Sequence, residues 1–599
     1  MKRAILLLSL FCLLTTVQAQ DVVYGALYGV IPDTGNDMTQ PFQNLLQAVK
    51  TRESVTIILS AGQYDFYEEN AIHKEYYESN TTNRNPKNLA ILFEDMHNVT
   101  VDGNFSTLMF HGKMQPITLD RCTNISIRNI IIDFATPTSV EAEVVHVDSS
   151  YFEIAFDPQL FPYEVDAKQQ LHFFIGKHKT SPFTYVEFNH NSRMVEPYTG
   201  DRGWWEGIPV DEVEKGRLRI FYPNKAHFPK LHNWIVIRHG ERNHAGIFIQ
   251  NSADVLVQNV NIYQTDGLAI LAQFTHNLNL FSCTVVPNYL IGRKYISSHD
   301  DGFHLMGCSG QIRVENCEWY GLMDDAINIH GTYVKVVKRK KNRVIAQFMH
   351  HETTGLEWGR MGEKIYFVDP KTMKTIDSST IIEYNQLNRD QFELVLATSP
   401  SRKVKSKVVI ENVTCNPDVK ISNCRFRSGR ARGLLISTRG NVRIEDNIFE
   451  SAGSAILIAG DAREWYESGP VRDVTIRKNI FRYSCNSSPY QFSEAVISIY
   501  PNIAKPDPEH PYHANIRIED NSFFLFDYPI LFAKSVDGLT FKNNILYRSK
   551  GLEPFHPNQF GYKLIACKKV TIGPNKTEGE ILGKSIIMEQ MNAKELHKE

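Results

Sequence analysis

Apolar and polar residues alternate along most of the chain, in short runs that share one pattern. The runs are VLVQNVNI from residue 255, LNLFSCTV from 278, IRVENCEW from 312, VKISNCRF from 419, VRIEDNIF from 442, VTIRKNIF from 474, IRIEDNSF from 516 and LTFKNNIL from 539. Alternation with a period of two predicts β-strands with one buried face. The sixth position of each run forms a column that reads Val260, Cys283, Cys317, Cys424, Asn447, Asn479, Asn521 and Asn544.

The spacing of this column predicts the architecture. Three of its seven intervals are 23 residues, and the others are longer. A short repeat of this kind buries its inward side chains only by stacking on the next repeat, and insertions become loops on the solenoid. We therefore predict an all-β fold, a parallel β-helix. Cysteines at ladder positions that Asn fills elsewhere favour buried free thiols over disulfides.

The N-terminus combines a targeting signal with a helical cap. Residues 1–19, MKRAILLLSLFCLLTTVQA, have a basic start, an apolar run and a small-residue cleavage site, as a secretory signal does. No later apolar stretch reaches the ~20 residues of a spanning helix, so we expect an exported protein without a membrane anchor. Residues 39–50 place Phe42, Leu45, Leu46 and Val49 on one helical face, with Thr39 as the predicted cap. Residues 54–66 are the predicted first coil.

Two long intervals are themselves rich in strand patterns and predict two inserted, small antiparallel β-barrel-like domains. The predicted organisation is a signal peptide at 1–19, a cap and first coils at 20–136, an inserted barrel at 137–236, coils at 237–332, a second inserted barrel at 333–415, and C-terminal coils with a tail at 416–599. A net charge of −2 without basic runs argues against a nucleic-acid partner. The sequence leaves the oligomeric state open, a homodimer included.

A second strand in each coil brings carboxylates together. The segments TDGLAI (265–270), DDGFHL (300–305), DDAINI (324–329) and ARGLLI (431–436) align through their apolar pairs. The column before those pairs then contains Asp266, Asp301, Asp325 and Arg432. Because stacked coils lie ~4.8 Å apart, Asp301 and Asp325 become neighbours. Strict alternation would point both inward, so a bend must precede each strand.

Like charges stacked on paired strands destabilise a sheet unless a cation or a shared proton offsets the repulsion. Two structural interpretations stay open: a calcium site on the solenoid, or Asp residues that form turns at its corners. The chemistry that uses several carboxylates in one groove is glycoside hydrolysis, in which one carboxyl donates a proton and another carboxylate activates water or attacks carbon. Crowding separates the pKa values of the acid and the base.

HDDGFH and MDDAINI resemble the Asn-Thr-Asp-Gly and Gln-Asp-Asp motifs of polygalacturonases, inverting hydrolases on a right-handed, single-stranded, pectate-lyase-like parallel β-helix. The resemblance implies that Asp301 and Asp325 polarise the attacking water and that Asp324 is the general acid. The Arg-Ile-Lys tripeptide that recognises uronates there is missing, which favours a neutral sugar. Taken whole, with YGVIPDTGNDMTQPFQNLLQAV, SSHDDGFHLMGC, GLMDDAINIHGTY, RARGLLISTRG and both insertions, the chain resembles glycoside hydrolase family 110.

This resemblance implies metal-independent, cofactor-free, inverting removal of terminal α-1,3-linked galactose, as on the blood group B antigen. One branch of that family requires the fucosylated epitope and another also accepts linear Gal-α-1,3-Gal; we expect the broader one. The remaining candidates for contact with an oligosaccharide substrate are Asp300, His304, Asn328, His330, Arg432 and Trp465. Asp300 is expected mainly to support its neighbours, and Trp204 and Trp205 are further candidates from the first insertion.

Two other functional classes use the same solenoid. The first class is a polysaccharide-degrading enzyme, either a calcium-dependent polysaccharide lyase or a uronate hydrolase. The lyase would bind calcium at the Asp cluster and use an Arg such as Arg432 as its base. A non-catalytic glycan-binding β-helix would keep its binding after Asp324→Asn. Paired Asp-Asp segments favour water activation over elimination, and the cost of crowding four carboxylates argues against a purely structural binder.

Overall fold

A computed structural model describes residues 21–82, 84–427, 429–484, 490 and 492–599. Over these residues the chain is a parallel β-helix, as predicted, with two antiparallel insertions. The predicted signal at 1–19 lies outside the described residues. Among the residues that are described, no helix is both long and apolar enough to cross a membrane.

One long parallel sheet of the solenoid carries the candidate site. In the described part of the chain its strands are Ile72–Lys74, Lys87–Glu94, Gln115–Asp120, Ile247–Gln250, Ile270–Gln273, Phe303–Met306, Ile327–Thr332, Leu434–Ile436, Ile456–Ile458, Ile497–Ile499, Leu531–Lys534, Tyr562–Ile565 and Ile586–Glu589. All neighbouring pairs are parallel except the first, and Glu467–Ser468 adds an antiparallel edge to Ile327–Thr332.

The other faces of the coils form a second, larger sheet. Its described strands are Asp21–Tyr24, Val55–Ile58, Gln63–Tyr67, His97–His111, Thr123–Phe134, Ala253–Ile262, His276–Phe281, Thr284–Val285, Ser309–Glu315, Glu318–Tyr320, Asp418–Ser422, Arg425–Arg427, Asn441–Glu445, Ile448–Glu450, Asp473–Arg477, Ile480–Arg482, His513–Glu519, Ser522–Leu525, Val536–Lys542, Ile545–Arg548, Lys568–Ile572, Lys576–Glu578 and Leu596–Lys598. The strand Asp21–Tyr24 pairs with Val55–Ile58, so a strand precedes the coil that we predicted as the first.

The predicted column of Asn and Cys is a continuous ladder inside the solenoid. The Asn479 side-chain carbonyl accepts from the Asn447 backbone amide at 3.0 Å, and Asn521 does the same for Asn479 at 2.9 Å. Each buried amide thereby satisfies a backbone group at the corner between two strands. The seven cysteines in the described residues are buried and free, which confirms the predicted thiols for those positions.

The N-terminal helix spans Thr39–Val49 and covers the end of the solenoid core with the four predicted apolar residues. The predicted cap was wrong. Thr39 is already helical, and its amide donates to the carboxylate of Asp37 at 2.9 Å. Asp accepts hydrogen bonds from first-turn amides as well as Thr does, and an Asp two residues earlier in a turn reaches them here.

Both insertions are antiparallel. In the first, strands Ser139–Val147, Phe152–Ala155, Pro182–Phe188, Arg202–Gly203, Val210–Glu214, Arg217–Ile220 and Trp234–His239 make one sheet, beside a small sheet of Tyr163–Val165, Leu171–Ile175 and His178–Thr180. In the second, strands Val334–Lys340, Arg343–Gln347, Lys364–Val368, Thr375–Gln386, Gln391–Leu396 and Val409–Asn412 close into a barrel. Each insertion has its own apolar core.

Candidate active site

The two Asp-Asp segments lie on adjacent coils and occupy the same register position before their strands. Phe303 pairs with Ile327 and His304 with Asn328, so Asp301 is level with Asp325. Both carboxylates lie in the bend before a strand that begins at Phe303 or Ile327. The predicted break in alternation is therefore present, and it lets the Asp side chains leave the core.

Gly302 is required at this bend because of crowding. A Cβ atom there would lie 2.4 Å from Trp319 Cδ1 and 2.5 Å from the carbonyl oxygen of Ala326. Trp319 is fully buried under the bend. Glycine thus lets the backbone of Asp301 approach the core closely.

The predicted column was wrong at one position. The sequence alignment placed Leu268 beside Phe303, whereas in the structure Ile270 pairs with Phe303. An isolated parallel β-bridge between Thr265 and Ser298 has the same register. Asp266 therefore lies two residues before the position that is level with Asp301, and its carboxylate contacts the ring of His244 at 2.8 Å instead. A slip of two residues keeps the same side chains inward, so apolar alternation alone does not distinguish the two registers.

One pocket gathers most of the predicted site residues. Its lining includes Asp301, Asp324, Asp325, His304, Asn328, Arg432 and Trp465. We call it the acidic pocket. Two predicted residues lie outside its lining: His330 is buried behind His304, and Asp300 lines an adjoining hollow. Trp204 is buried in the core of the first insertion, and Trp205 packs near Tyr222; neither lines the pocket.

Asp325 is held by a bidentate ion pair. Arg432 Nε donates to Oδ1 and its Nη2 donates to Oδ2, each at 2.8 Å, and the Arg432 amide donates to Oδ1 at 3.1 Å. Burial raises the pKa of Asp325 to about 7, with the nearby carboxyls adding to it and Arg432 opposing it. The guanidinium thus keeps the carboxylate form of Asp325 accessible near neutrality.

Asp301 begins a buried chain of hydrogen bonds. Its Oδ2 lies 2.6 Å from His304 Nδ1, and His304 Nε2 lies 2.9 Å from His330 Nε2. His330 Nδ1 lies 2.7 Å from the carbonyl oxygen of Gly331. Since a carbonyl only accepts, His330 Nδ1 carries hydrogen, and a neutral His330 accepts through Nε2. His304 then donates through Nε2 and accepts through Nδ1.

This chain favours a protonated Asp301. A neutral His304 that accepts at Nδ1 requires a carboxyl O–H on Asp301 as donor; the alternative is a His304 imidazolium beside a carboxylate. Burial lowers the pKa of His304 to about 4. Burial, reinforced by Asp324, raises the pKa of Asp301 well above its usual range. Both shifts favour the proton on Asp301, which leaves Asp325 as the ionised member of the level pair.

Asp324 has a more open environment. Its side chain is 20% exposed, Tyr490 Oη donates to its Oδ1 at 3.2 Å, and an Arg430 nitrogen lies 3.7 Å from its Oδ2. Asp324 lines both the acidic pocket and the adjoining hollow. It is therefore placed to exchange a proton with a group that lies between the two spaces.

Asp300 is an ionised anchor. Arg238 Nη2 and His299 Nδ1 lie 2.8 Å and 2.6 Å from its two carboxylate oxygens. Burial would raise the pKa of Asp300, but His299, Arg242 and Arg238 outweigh it and hold the pKa well below the usual range. Arg238 belongs to the strand Trp234–His239, so this ion pair joins the first insertion to the coil that carries Asp300 and Asp301.

The acidic pocket and the adjoining hollow also contain residues that were not predicted. Glu467 accepts from Asn328 at 3.2 Å, and Arg242, Tyr490 and Arg430 surround Asp324 or the hollow. Glu467 lies two residues after Trp465, which the sequence analysis had named, so the sequence could have indicated it. Tyr490 and Arg242 lie in irregular segments between repeats, where no ladder position marks them.

Within the described residues, the one group of His, Cys, Asp or Glu side chains with ligand atoms close enough for a metal is His350, His351 and Glu352. Its members have other partners, because Glu352 bonds Arg242 at 2.7 Å and His350 stacks on Trp465. The carboxylates of Asp301, Asp324 and Asp325 do not form such a group among those residues.

Comparison with known proteins identifies the family. Residues 140–235 match the GLAA-B beta-barrel domain I, and residues 343–410 match the GLAA-B beta-barrel domain II. The chain is 44% identical over 591 residues to alpha-1,3-galactosidase B of Bacteroides thetaiotaomicron, covering 98% of this chain and 96% of that relative. The chain belongs to the α-1,3-galactosidase family. The resemblance drawn from the sequence is confirmed.

Other relatives extend this result. The alpha-1,3-galactosidase A of Bacteroides fragilis is 32% identical over 600 residues, covering 98% of this α-1,3-galactosidase family member and 97% of the relative. Among solved structures, the Family 28 exopolygalacturonase of Yersinia enterocolitica aligns with a TM-score of 0.38 and 10% identity, over 95% of this chain and 77% of that one.

The histidine chain makes a prediction about pH. In His330→Phe, His304 loses its acceptor at Nε2 and can carry hydrogen at Nδ1 instead, donating to an Asp301 carboxylate. The pKa of Asp301 then falls, because hydrogen bonding to the charged form favours it. The ionised Asp301 then raises the pKa of the neighbouring Asp325, so we expect the ascending limb of kcat/KM against pH to move up by about one unit, measured on Gal-α-1,3-Gal.

The matched control is His276→Phe, an exposed histidine of the larger sheet, which should leave the profile in place. An ascending limb that stays unmoved in His330→Phe would show that the Asp301 proton does not depend on the histidine chain.

Proposed function

We propose that this protein is an exo-acting hydrolase that removes terminal α-1,3-linked galactose with inversion, acting on the branched blood group B determinant and on linear Gal-α-1,3-Gal. The observation that carries the proposal is that Asp301, Asp324 and Asp325 have three different environments in the acidic pocket. Asp325 is paired with Arg432, the Asp301 carboxyl lies 2.6 Å from His304 Nδ1, and Asp324 lies where the pocket meets the hollow. Membership of the α-1,3-galactosidase family indicates that the bond to be cleaved is an α-1,3-galactosidic bond.

In the proposed reaction the terminal galactose lies in the acidic pocket. Asp324 donates its proton to the glycosidic oxygen as the bond from C1 to that oxygen breaks. A water molecule attacks C1 from the opposite face and gives its proton to the Asp325 carboxylate, while Asp301 accepts a hydrogen bond from the same water. One displacement yields β-galactose and the free acceptor.

The chain's own residues support these roles. Asp301 and Asp325 are level on adjacent coils, so two carboxyls can bind one water. The ion pair with Arg432 supplies a carboxylate base despite burial. The lyase alternative needs Arg432 as a base, but its guanidinium is engaged with Asp325 through two nitrogens, which disfavours that role. We also propose that the protein is exported, because residues 1–19 have the pattern of a secretory signal.

The deciding experiment follows the anomer that is released. The mature protein, incubated with Gal-α-1,3-Gal and with the B trisaccharide in the presence of chelator, is expected to release β-galactose from both, observed by proton NMR before mutarotation. Initial release of α-galactose would overturn inversion, since retention needs a covalent intermediate and a second displacement. Galactose from only the trisaccharide would overturn the broader specificity.

A further inference from the structure

A hollow adjoins the acidic pocket and is built from all three parts of the fold. Phe183 comes from the first insertion, Glu352 from the second, and Arg242 from the solenoid segment that follows the first insertion. The hollow shares Asp324, Arg242, Trp465 and Tyr490 with the acidic pocket. The two spaces are therefore continuous, and Asp324 lies where they meet.

The position of Asp324 between the acidic pocket and the hollow indicates which sugar of the substrate the hollow would bind. A general acid must lie within hydrogen-bond reach of the oxygen that it protonates. That oxygen joins galactose to the sugar that leaves. With galactose beside Asp301 and Asp325, the leaving sugar extends past Asp324 into the hollow.

We propose that this hollow is the subsite for the leaving sugar and that Phe183 is its stacking platform. The inference rests on the proposed function and deepens it. Its ligand is a neutral pyranose, together with a branch sugar when one is attached. Phe183 is a specificity-determining residue that contacts the leaving group and not the galactose.

Phe183 has the properties of a fixed platform. It lies on the strand Pro182–Phe188 and is 41% exposed, which is unusual for Phe, while its ring lies 5.1 Å from the Arg238 guanidinium. Arg238 is itself buried and held by Asp300 at 2.8 Å. A buried ion pair thus supports one side of an exposed ring. Aromatic rings bury apolar surface on planar contact, and a pyranose offers such a surface through its C–H groups.

The polar side of the hollow suits hydroxyl groups. Arg242 Nη2 donates to Glu352 Oε2 at 2.7 Å, and the Arg242 guanidinium lies 5.9 Å from the Trp465 ring. These contacts hold a donor and an acceptor group in fixed positions in the lining that also contains Phe183. A site that combines apolar surface with a few oriented polar groups is the usual form of a small-ligand pocket.

The test compares substrates that differ only in what leaves. Gal-α-1,3-Gal and the B trisaccharide occupy the hollow, whereas α-galactosyl fluoride has no leaving sugar. We expect Phe183→Ala to lower kcat/KM about tenfold on both oligosaccharides and to leave α-galactosyl fluoride hydrolysis unchanged. Phe183→Tyr keeps the ring and should retain the wild-type rates. The matched control is Phe524→Ala, a 39% exposed aromatic on the larger sheet, which should change none of them.

The outcomes separate this inference from the proposed function. If wild type releases no galactose from any of the three substrates, the proposed function fails. If wild type is active and Phe183→Ala loses activity equally on all three, Phe183 acts through folding and the subsite is overturned. Equal rates for Phe183→Ala and wild type on both oligosaccharides would also overturn it.

Discussion

Asp324→Asn is expected to lower kcat on Gal-α-1,3-Gal by about 10³-fold, within the range that general acid catalysis contributes. The amide keeps the size of the side chain and its contact with Tyr490, but it has no carboxyl proton to give to the leaving oxygen. The loss is therefore expected in kcat, with KM changed little. Initial rates across a substrate series measure both.

The substrate α-galactosyl fluoride distinguishes acid catalysis from a folding defect. Fluoride departs with little need for a proton, so Asp324→Asn should retain most of its activity on this substrate. Asp473→Asn, which alters an ion-paired carboxylate on the larger sheet, serves as the matched variant and should leave both activities intact. A loss of equal size on the glycoside and on the fluoride would contradict the role of Asp324 as acid.

Arg432→Met should produce the second large effect. Without the guanidinium, burial and the neighbouring carboxyls raise the pKa of Asp325 above about 7. The base needs its carboxylate form, so the ascending limb of kcat/KM moves to higher pH and activity at pH 6 falls by roughly 10²-fold or more. A pH profile between 5 and 9 measures the shift, and raising the pH should restore part of the lost activity.

Breaking a buried ion pair also destabilises the fold, by on the order of 3 kcal/mol, so a matched pair is needed. Arg439 donates to the buried Glu411 through two nitrogens at 2.8 Å and 2.7 Å, away from the acidic pocket. Arg439→Met should lower the urea midpoint by a similar amount and leave the pH profile unmoved. A profile unchanged in Arg432→Met would show that Arg432 does not tune Asp325.

The repeat pattern was enough to predict the architecture, because each coil of a solenoid packs only on its neighbouring coils. Each coil repeats the alternation of the last, so the Asn and Cys column and the level pairing of Asp301 with Asp325 follow from the spacing alone. The same regularity limited the prediction. Alternation fixes which face is buried but tolerates a shift of two residues, which is why Asp266 was placed beside Asp301 when Leu268 is level with it.

The sequence by itself determined the parallel β-helix, the two insertions and the carboxyls that meet in the acidic pocket. The tertiary structure alone decided how those carboxyls differ. The Arg432 ion pair, the His304 and His330 chain, and the Phe183 platform depend on contacts between side chains from separate coils and insertions. Burial raises the pKa values of Asp301 and Asp325, and these contacts then decide which of the two carboxyls is ionised. The spacing placed Arg432 in the same column as Asp325, but it does not encode the side-chain contacts. Irregular segments such as those that carry Arg242 and Tyr490 are positioned only by packing.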